Sequence, residues 1–149
     1  MALQIRYEKQ IPGIKKRLLR QKIKTVLEDL GCQDKELSIL FTDDKHISEI
    51  NKNYLKREGP TDVISFSFLG KEEERMNIPI LGDIVISVDT AKRESEETGE
   101  DIETTICRLI IHGILHILGY DHEGSKEEAQ KMRKEEERLL SIMKMKEVG

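Results

Sequence analysis

The spacing of apolar residues changes period several times along the chain, and each change marks an element. Leu3, Ile5 and Tyr7 alternate with polar neighbours, the period of a strand with one buried face. Ile14, Leu18, Leu19, Ile23, Val26, Leu27 and Leu30 then recur at helical spacing, and Gly31 supplies a left-handed stop. Leu37, Ile39 and Phe41 alternate again, after which Asp43 or Asp44 can cap a short helix carrying Ile47, Ile50 and Tyr54. Gly59-Pro60 forces a turn. Val63 to Leu69 and Ile80 to Val88 follow as β-branched runs separated by the acidic loop Lys71 to Arg75. Asp89 opens a charged helix that ends near Gly99. From Asp101 to Leu118 the apolar residues cover so much of the helix that it must be largely buried. Ser125 with Glu128 forms a capping box for a last helix that buries Met132, Leu139, Leu140 and Met143.

The order βαβαββααα implies an α+β fold, a small mixed sheet of about four strands packed with about five helices. A length of 149 residues fits a single domain spanning 1–149. With 36% charged and 37% hydrophobic residues the chain is polar but able to fold. Its net charge of -4 advertises no bulk affinity for nucleic acid, so such a role needs a local basic surface. The densest basic run is Lys15, Lys16, Arg17, Arg20, Lys22 and Lys24, which reads first as the solvated face of a helix and second as an RNA or ribosome contact. The longest apolar run is broken by His112 and His116 and is far shorter than the roughly 20 residues of a membrane span. Arg6, Glu8 and Lys9 arrive before any secretory apolar region can develop, and Cys32 and Cys107 lack paired spacing. A cytoplasmic protein with two buried thiols is the expectation.

The chemistry concentrates in His112-Gly113-Ile114-Leu115-His116-Ile117-Leu118-Gly119-Tyr120-Asp121-His122. Residues four apart on a helix project from one face, so His112 and His116 can grip a single ion. Gly119 can end the helix, and the turn after it can swing His122 back toward the same point. Three neutral imidazoles suit one Zn²⁺ and leave a fourth position for a labile ligand, as in catalytic zinc sites. His46, without a partner nearby in sequence, reads as a solvated side chain.

The spacing matches the metzincin pattern H-E-x-x-H-x-x-G-x-x-H, except that Gly113 stands where the proteases carry their glutamate base. A glycine has no group to accept a proton, which argues against peptide hydrolysis.

The same segment resembles the signature of the YbeY family of bacterial metal-dependent endoribonucleases, described as ribosomal RNA maturation factors. The likeness extends to Pro60-Thr61-Asp62-Val63-Ile64-Ser65-Phe66, to Leu81-Gly82-Asp83-Ile84-Val85-Ile86-Ser87, and to Glu128, Met132 and Glu136. The resemblance implies a zincin-like central helix with His112, His116 and His122 as zinc ligands. It also implies cleavage of single-stranded RNA, action on the small-subunit rRNA 3′ end and in ribosome quality control, and ribosomal RNA and the ribosome as partners. The family commonly has an Arg directly after the Tyr before Pro-Thr-Asp. Here Tyr54 is followed by Leu55, and Arg57 is the nearby candidate for substrate binding, with a solvated loop arginine as the alternative.

No general base is assigned, because Asp62, Asp83, Asp121 and Glu123 are all available and Asp121 reads rather as a turn residue or a support for His122. With no Trp and 4% aromatic residues, contact with RNA is expected to run mainly through phosphates. Two other readings stand beside this one. The first is a ribosome-associated binding factor whose metal site is closed by a fourth ligand from Asp62, Asp83 or Cys107. The second is a metal-dependent hydrolase of another substrate class.

Overall fold

The computed structural model describes residues 3–68, 79–121 and 123–148, with side chains as far as 145. The expected acidic loop Lys71 to Arg75 and His122 lie outside the described residues. The elements run β1 (Leu3–Tyr7), α1 (Lys16–Asp29), β2 (Glu36–Thr42), α2 (Asp44–Leu55), β3 (Val63–Ser67), β4 (Ile80–Ser87), α3 (Val88–Thr98), α4 (Ile102–Ile117) and α5 (Lys126–Val148). The sheet order is β1-β2-β4-β3, with β1, β2 and β4 parallel and β3 antiparallel to β4. This is the mixed α+β sheet that the alternation of periods predicts.

Alternation along the strands sends side chains to two different cores. Leu37, Ile39 and Phe41 of β2 and Ile84 and Ile86 of β4 join the main core beneath α1, α3, α4 and α5. Val85 of β4 and Ile64 of β3 face the other way and meet Ile47 of α2, with Leu40, Ile50 and Phe66 at their margin. The sheet therefore separates a thick helical layer from a face on which α2 packs.

Helix α1 ends as expected, with Gly31 at φ +72° and the amides of Gly31 and Cys32 bonded to the carbonyls of Glu28 and Leu27. Asp43 caps α2 by accepting from the His46 amide at 2.9 Å. Helix α3 begins one residue before the expected Asp89. Ser87 caps it, accepting from Thr90 N at 3.2 Å, so β-branched Val88 is helical rather than the end of a strand. Ser125 Oγ accepts from Glu128 N at 3.1 Å, and Met132, Leu139, Leu140 and Met143 are buried.

The basic run of α1 is not one solvated face. Lys22 is buried with its ammonium 2.7 Å from Glu103, Arg20 donates to the Leu3 carbonyl at 2.5 Å, and Lys16 sits 4.4 Å over the Tyr7 ring. Three of the six cations thus serve the fold. His46 also differs from expectation: its Nδ1 lies 2.7 Å from Glu8 Oε1, a partner 38 residues away in the chain that periodicity cannot reveal. Bonds from Thr42 and His46 hold the Glu8 carboxyl below its ordinary range. Cys32 and Cys107 are both buried in the main core, as expected, and burial pushes the Cys32 thiol up. Among the described residues no helix is long and apolar enough to cross a membrane.

Candidate functional site

Helix α4 starts at Asp101, whose carboxylate accepts from Thr104 N at 2.7 Å, and its apolar residues embed it in the main core. It lies tight against the sheet. A Cβ at Gly113 would stand 3.0 Å from Cδ1 of Ile84, and one at Gly82 would run into the Phe66 carbonyl and Ile117. Ser67 Oγ donates to the Ile117 carbonyl at 3.1 Å, fastening the end of the helix to β3. The position that carries a glutamate in metzincins therefore faces β4 and has no room for one.

His112 and His116, one turn apart on this anchored helix, turn their Nε2 atoms toward each other at 3.0 Å, with ring centroids 4.5 Å apart and planes at 78°. His112 Nδ1 lies 2.8 Å from Glu136 Oε2 of α5. A carboxylate only accepts, so it holds the ring proton on Nδ1 and leaves Nε2 as the lone-pair side aimed at His116. Two nitrogens bound to one tetrahedral zinc at about 2.0–2.1 Å stand roughly 3.3 Å apart. The observed spacing is close to that, and a pair of imidazole nitrogens with a carboxylate behind one of them is a donor set that fits zinc.

Beyond the pair, Leu118 and Gly119 end the helix. Gly119 has φ +101°, its amide bonds to the His116 carbonyl and that of Tyr120 to the Leu115 carbonyl, so the helix closes in a left-handed glycine cap. Asp121 Oδ1 then accepts from Glu123 N at 2.8 Å, making it a turn residue. A cleft of about 300 Å³ opens here, lined by Gly119, Tyr120, Asp121, Glu128 and Lys131. His122 lies outside the described residues. No group of three His, Cys, Asp or Glu side chains arranged for a metal occurs among the described residues.

Asp83, Cys107, Asp62 and Arg57 do not line this cleft. Asp83 alternates with Ile84 and so faces the opposite side of the sheet, where burial raises its carboxyl and the Ser38 hydroxyl partly offsets that. Cys107 is buried in the core, about 140° around the helix from His112. Asp62 accepts from Val63 N at 2.7 Å and shares a hydrogen bond with Glu94. Arg57 is exposed on the loop after α2, the helix on the face away from α4, and its amide bonds to the Asn51 carbonyl at 3.2 Å. Glu136 is the site residue whose contact periodicity alone leaves unread. Its signal is a carboxylate four residues after Met132 and three before Leu139, within the buried stripe of α5.

Residues 4–144 match the family Endoribonuclease YbeY. Curated relatives include Endoribonuclease YbeY of Syntrophus aciditrophicus, 44% identical over 144 residues that make up 96% of this chain and 90% of that protein. That of Aquifex aeolicus is 50% identical over 115 residues, 77% of this chain and 75% of its own. The solution structure of TM1509 from Thermotoga maritima shares the fold, with a TM-score of 0.68, 23% identity and coverage of 95% of this chain and 88% of its own. A match this long takes in the sheet, the histidine helix and the helix that bears Glu136 together, and the chain belongs to the Endoribonuclease YbeY family.

Proposed function

We propose that the protein is a zinc-dependent endoribonuclease that cuts single-stranded RNA, and that His112, His116 and His122 hold one zinc ion. The supporting observation is the 3.0 Å approach of the His112 and His116 Nε2 atoms, with Glu136 fixing the tautomer of His112 from behind. Zinc in such a set supplies Lewis acidity toward a phosphoryl oxygen and brings a water near neutral acidity, so no protein nucleophile is needed. The chain's own residues do the positioning. Close packing of Gly113 on Ile84 and the Ser67 bond at Ile117 hold both rings on a rigid helix, and Lys131 lends positive charge to the adjacent cleft. Asp83 and Cys107, each expected as possible closing ligands, face elsewhere, which favours an open coordination position over a structural site. The substrate class follows from the family. Maturation of the small-subunit rRNA 3′ end and ribosome quality control, in the cytoplasm and in contact with the ribosome, follow from the resemblance of the histidine and Pro-Thr-Asp segments.

Purified protein is expected to cut an unstructured oligoribonucleotide, to lose that activity with a chelator and to recover it with added zinc. His116→Ala should lose bound zinc and cleavage together. Glu136→Gln should bind zinc about 10- to 100-fold more weakly, measured by competition with a chromophoric chelator. Full cleavage by His116→Ala would overturn the assignment.

A further inference from the structure

A cavity of about 730 Å³ lies on the face of the sheet opposite the histidine helix, between the strands and α2. Its lining does not resemble the rest of the surface. The chain has three Tyr, three Phe and no Trp, and half of these aromatics, Tyr54, Phe66 and Phe68, border this one cavity. Tyr54 is 70% exposed, and its ring meets Phe66 edge-on at 6.0 Å and 75°, so one face of a large ring is presented to solvent beside a firm support. The floor is polar where β4 could have been apolar. Asp83 interrupts the run from Leu81 to Ile86, half-buried, with the Ser38 hydroxyl as partner and Asn53 bordering the same space. A half-buried carboxylate costs stability, and nothing in the packing of the sheet requires one there. The lining itself carries Arg6, loosely paired with Glu8 at 3.8 Å, opposite the carboxylates of Glu49 and Asp83, while Lys52, Lys56 and Arg57 are exposed in the segment that flanks Tyr54 along the chain, outside the lining.

An aromatic face for stacking, a carboxylate and amide for hydrogen-bonding a base edge, and flanking cations for phosphates are the parts by which sheet surfaces hold unpaired bases. We propose that this face is a second nucleic-acid site, in which one unpaired base of an RNA strand stacks on Tyr54 beside Phe66 while Asp83 and Asn53 read its edge. A carboxylate accepts from ring N–H and amino donors, so guanine, which offers both side by side, is the preferred base. β3 is the edge strand of the sheet and α4 packs on its other face, so a strand passing over that edge reaches from this cavity toward the histidine side. The choice of RNA rests on the proposed nuclease function; the recognition of a base does not.

The test measures binding with a chelator present, so that cleavage plays no part. A fluorescein-labelled uridine decamer with one central guanosine is titrated by anisotropy against an all-uridine decamer. The guanosine decamer is expected to bind more tightly. Tyr54→Ala should weaken binding by about 5- to 100-fold, the range for loss of one stacked base, while Tyr54→Phe retains it. Asp83→Asn should erase the preference for the guanosine decamer, with circular dichroism checking that each variant is folded. Binding within twofold of the parent by both Tyr54→Ala and Asp83→Asn would overturn the site. So would GMP alone displacing the decamer at equal affinity, which would make the cavity a free-nucleotide site. A decamer bound here but never cut when zinc is supplied counts against the proposed nuclease function and leaves this site standing, whereas normal cleavage with unaltered binding by both variants removes only the site.

Discussion

Glu94 of α3 and Asp62 before β3 share a hydrogen bond, and burial, that bond and the charges of Asp62 and Glu97 push the Glu94 carboxyl up to about 7. Between its ordinary range near 4.5 and this value the folded protein holds a proton that the unfolded chain has lost. Stability contributed by that proton is complete below about pH 4.5 and is lost as pH rises through 7. Glu94→Gln keeps a donor for Asp62 without the charge. It is expected to remove this slope and to raise stability at pH 8 by about 1 kcal/mol, allowing for solvent screening of a partly exposed pair. Urea midpoints at pH 5 and pH 8 measure it, and a parent-like pH dependence in the variant would refute it. Other single residues act through space rather than charge. Gly113 lies where the metzincin pattern has its base, and the backbone-to-Ile84 approach explains why no side chain stands there.

Between elements, one specific tie is Lys22 of α1 on Glu103 in the first turn of α4, at 2.7 Å with the lysine 2% exposed. The pair joins the first helix to the helix of the histidines across 81 residues of chain. Taking away the carboxylate beside a buried ammonium costs more than replacing the ammonium itself by an apolar group of similar length. Glu103→Ala is therefore expected to destabilise by about 2–3 kcal/mol and Lys22→Met by less than about 1 kcal/mol, read from chemical denaturation. Equal losses in both would show that the pair contributes nothing beyond packing. The same scale governs the histidine helix. Its ridge must sit close on β4, so Gly82 and Gly113 face each other's elements where any Cβ would crowd Phe66, Ile117 or Ile84.

For the whole molecule, the proposed zinc site links α4, the turn after it and, through Glu136, α5. A ligand held by the folded state alone stabilises it by mass action, about 2.7 kcal/mol at 100 times its dissociation constant. Chelation is expected to lower the thermal midpoint of the parent by several degrees and to leave His116→Ala unmoved; an unmoved parent midpoint would count against a site that bridges these elements. Much of this architecture was legible along the chain. Periods of two and 3.6, Gly31 and Gly119 at helix ends, and Asp43, Asp101 and Ser125 at helix starts report local backbone preferences that a few neighbouring residues decide. The i, i+4 spacing of His112 and His116 likewise needs only a helix to bring the rings together. What lay beyond reach were contacts between distant segments: Glu136 behind His112, Glu8 on His46, the burial of Lys22, and the assignment of Asp83 to the face away from the histidines. Short-range periodicity determines which side of an element a residue occupies. Only tertiary packing decides what stands opposite it, because the partner's place depends on how strands register and helices cross, and no local pattern encodes that.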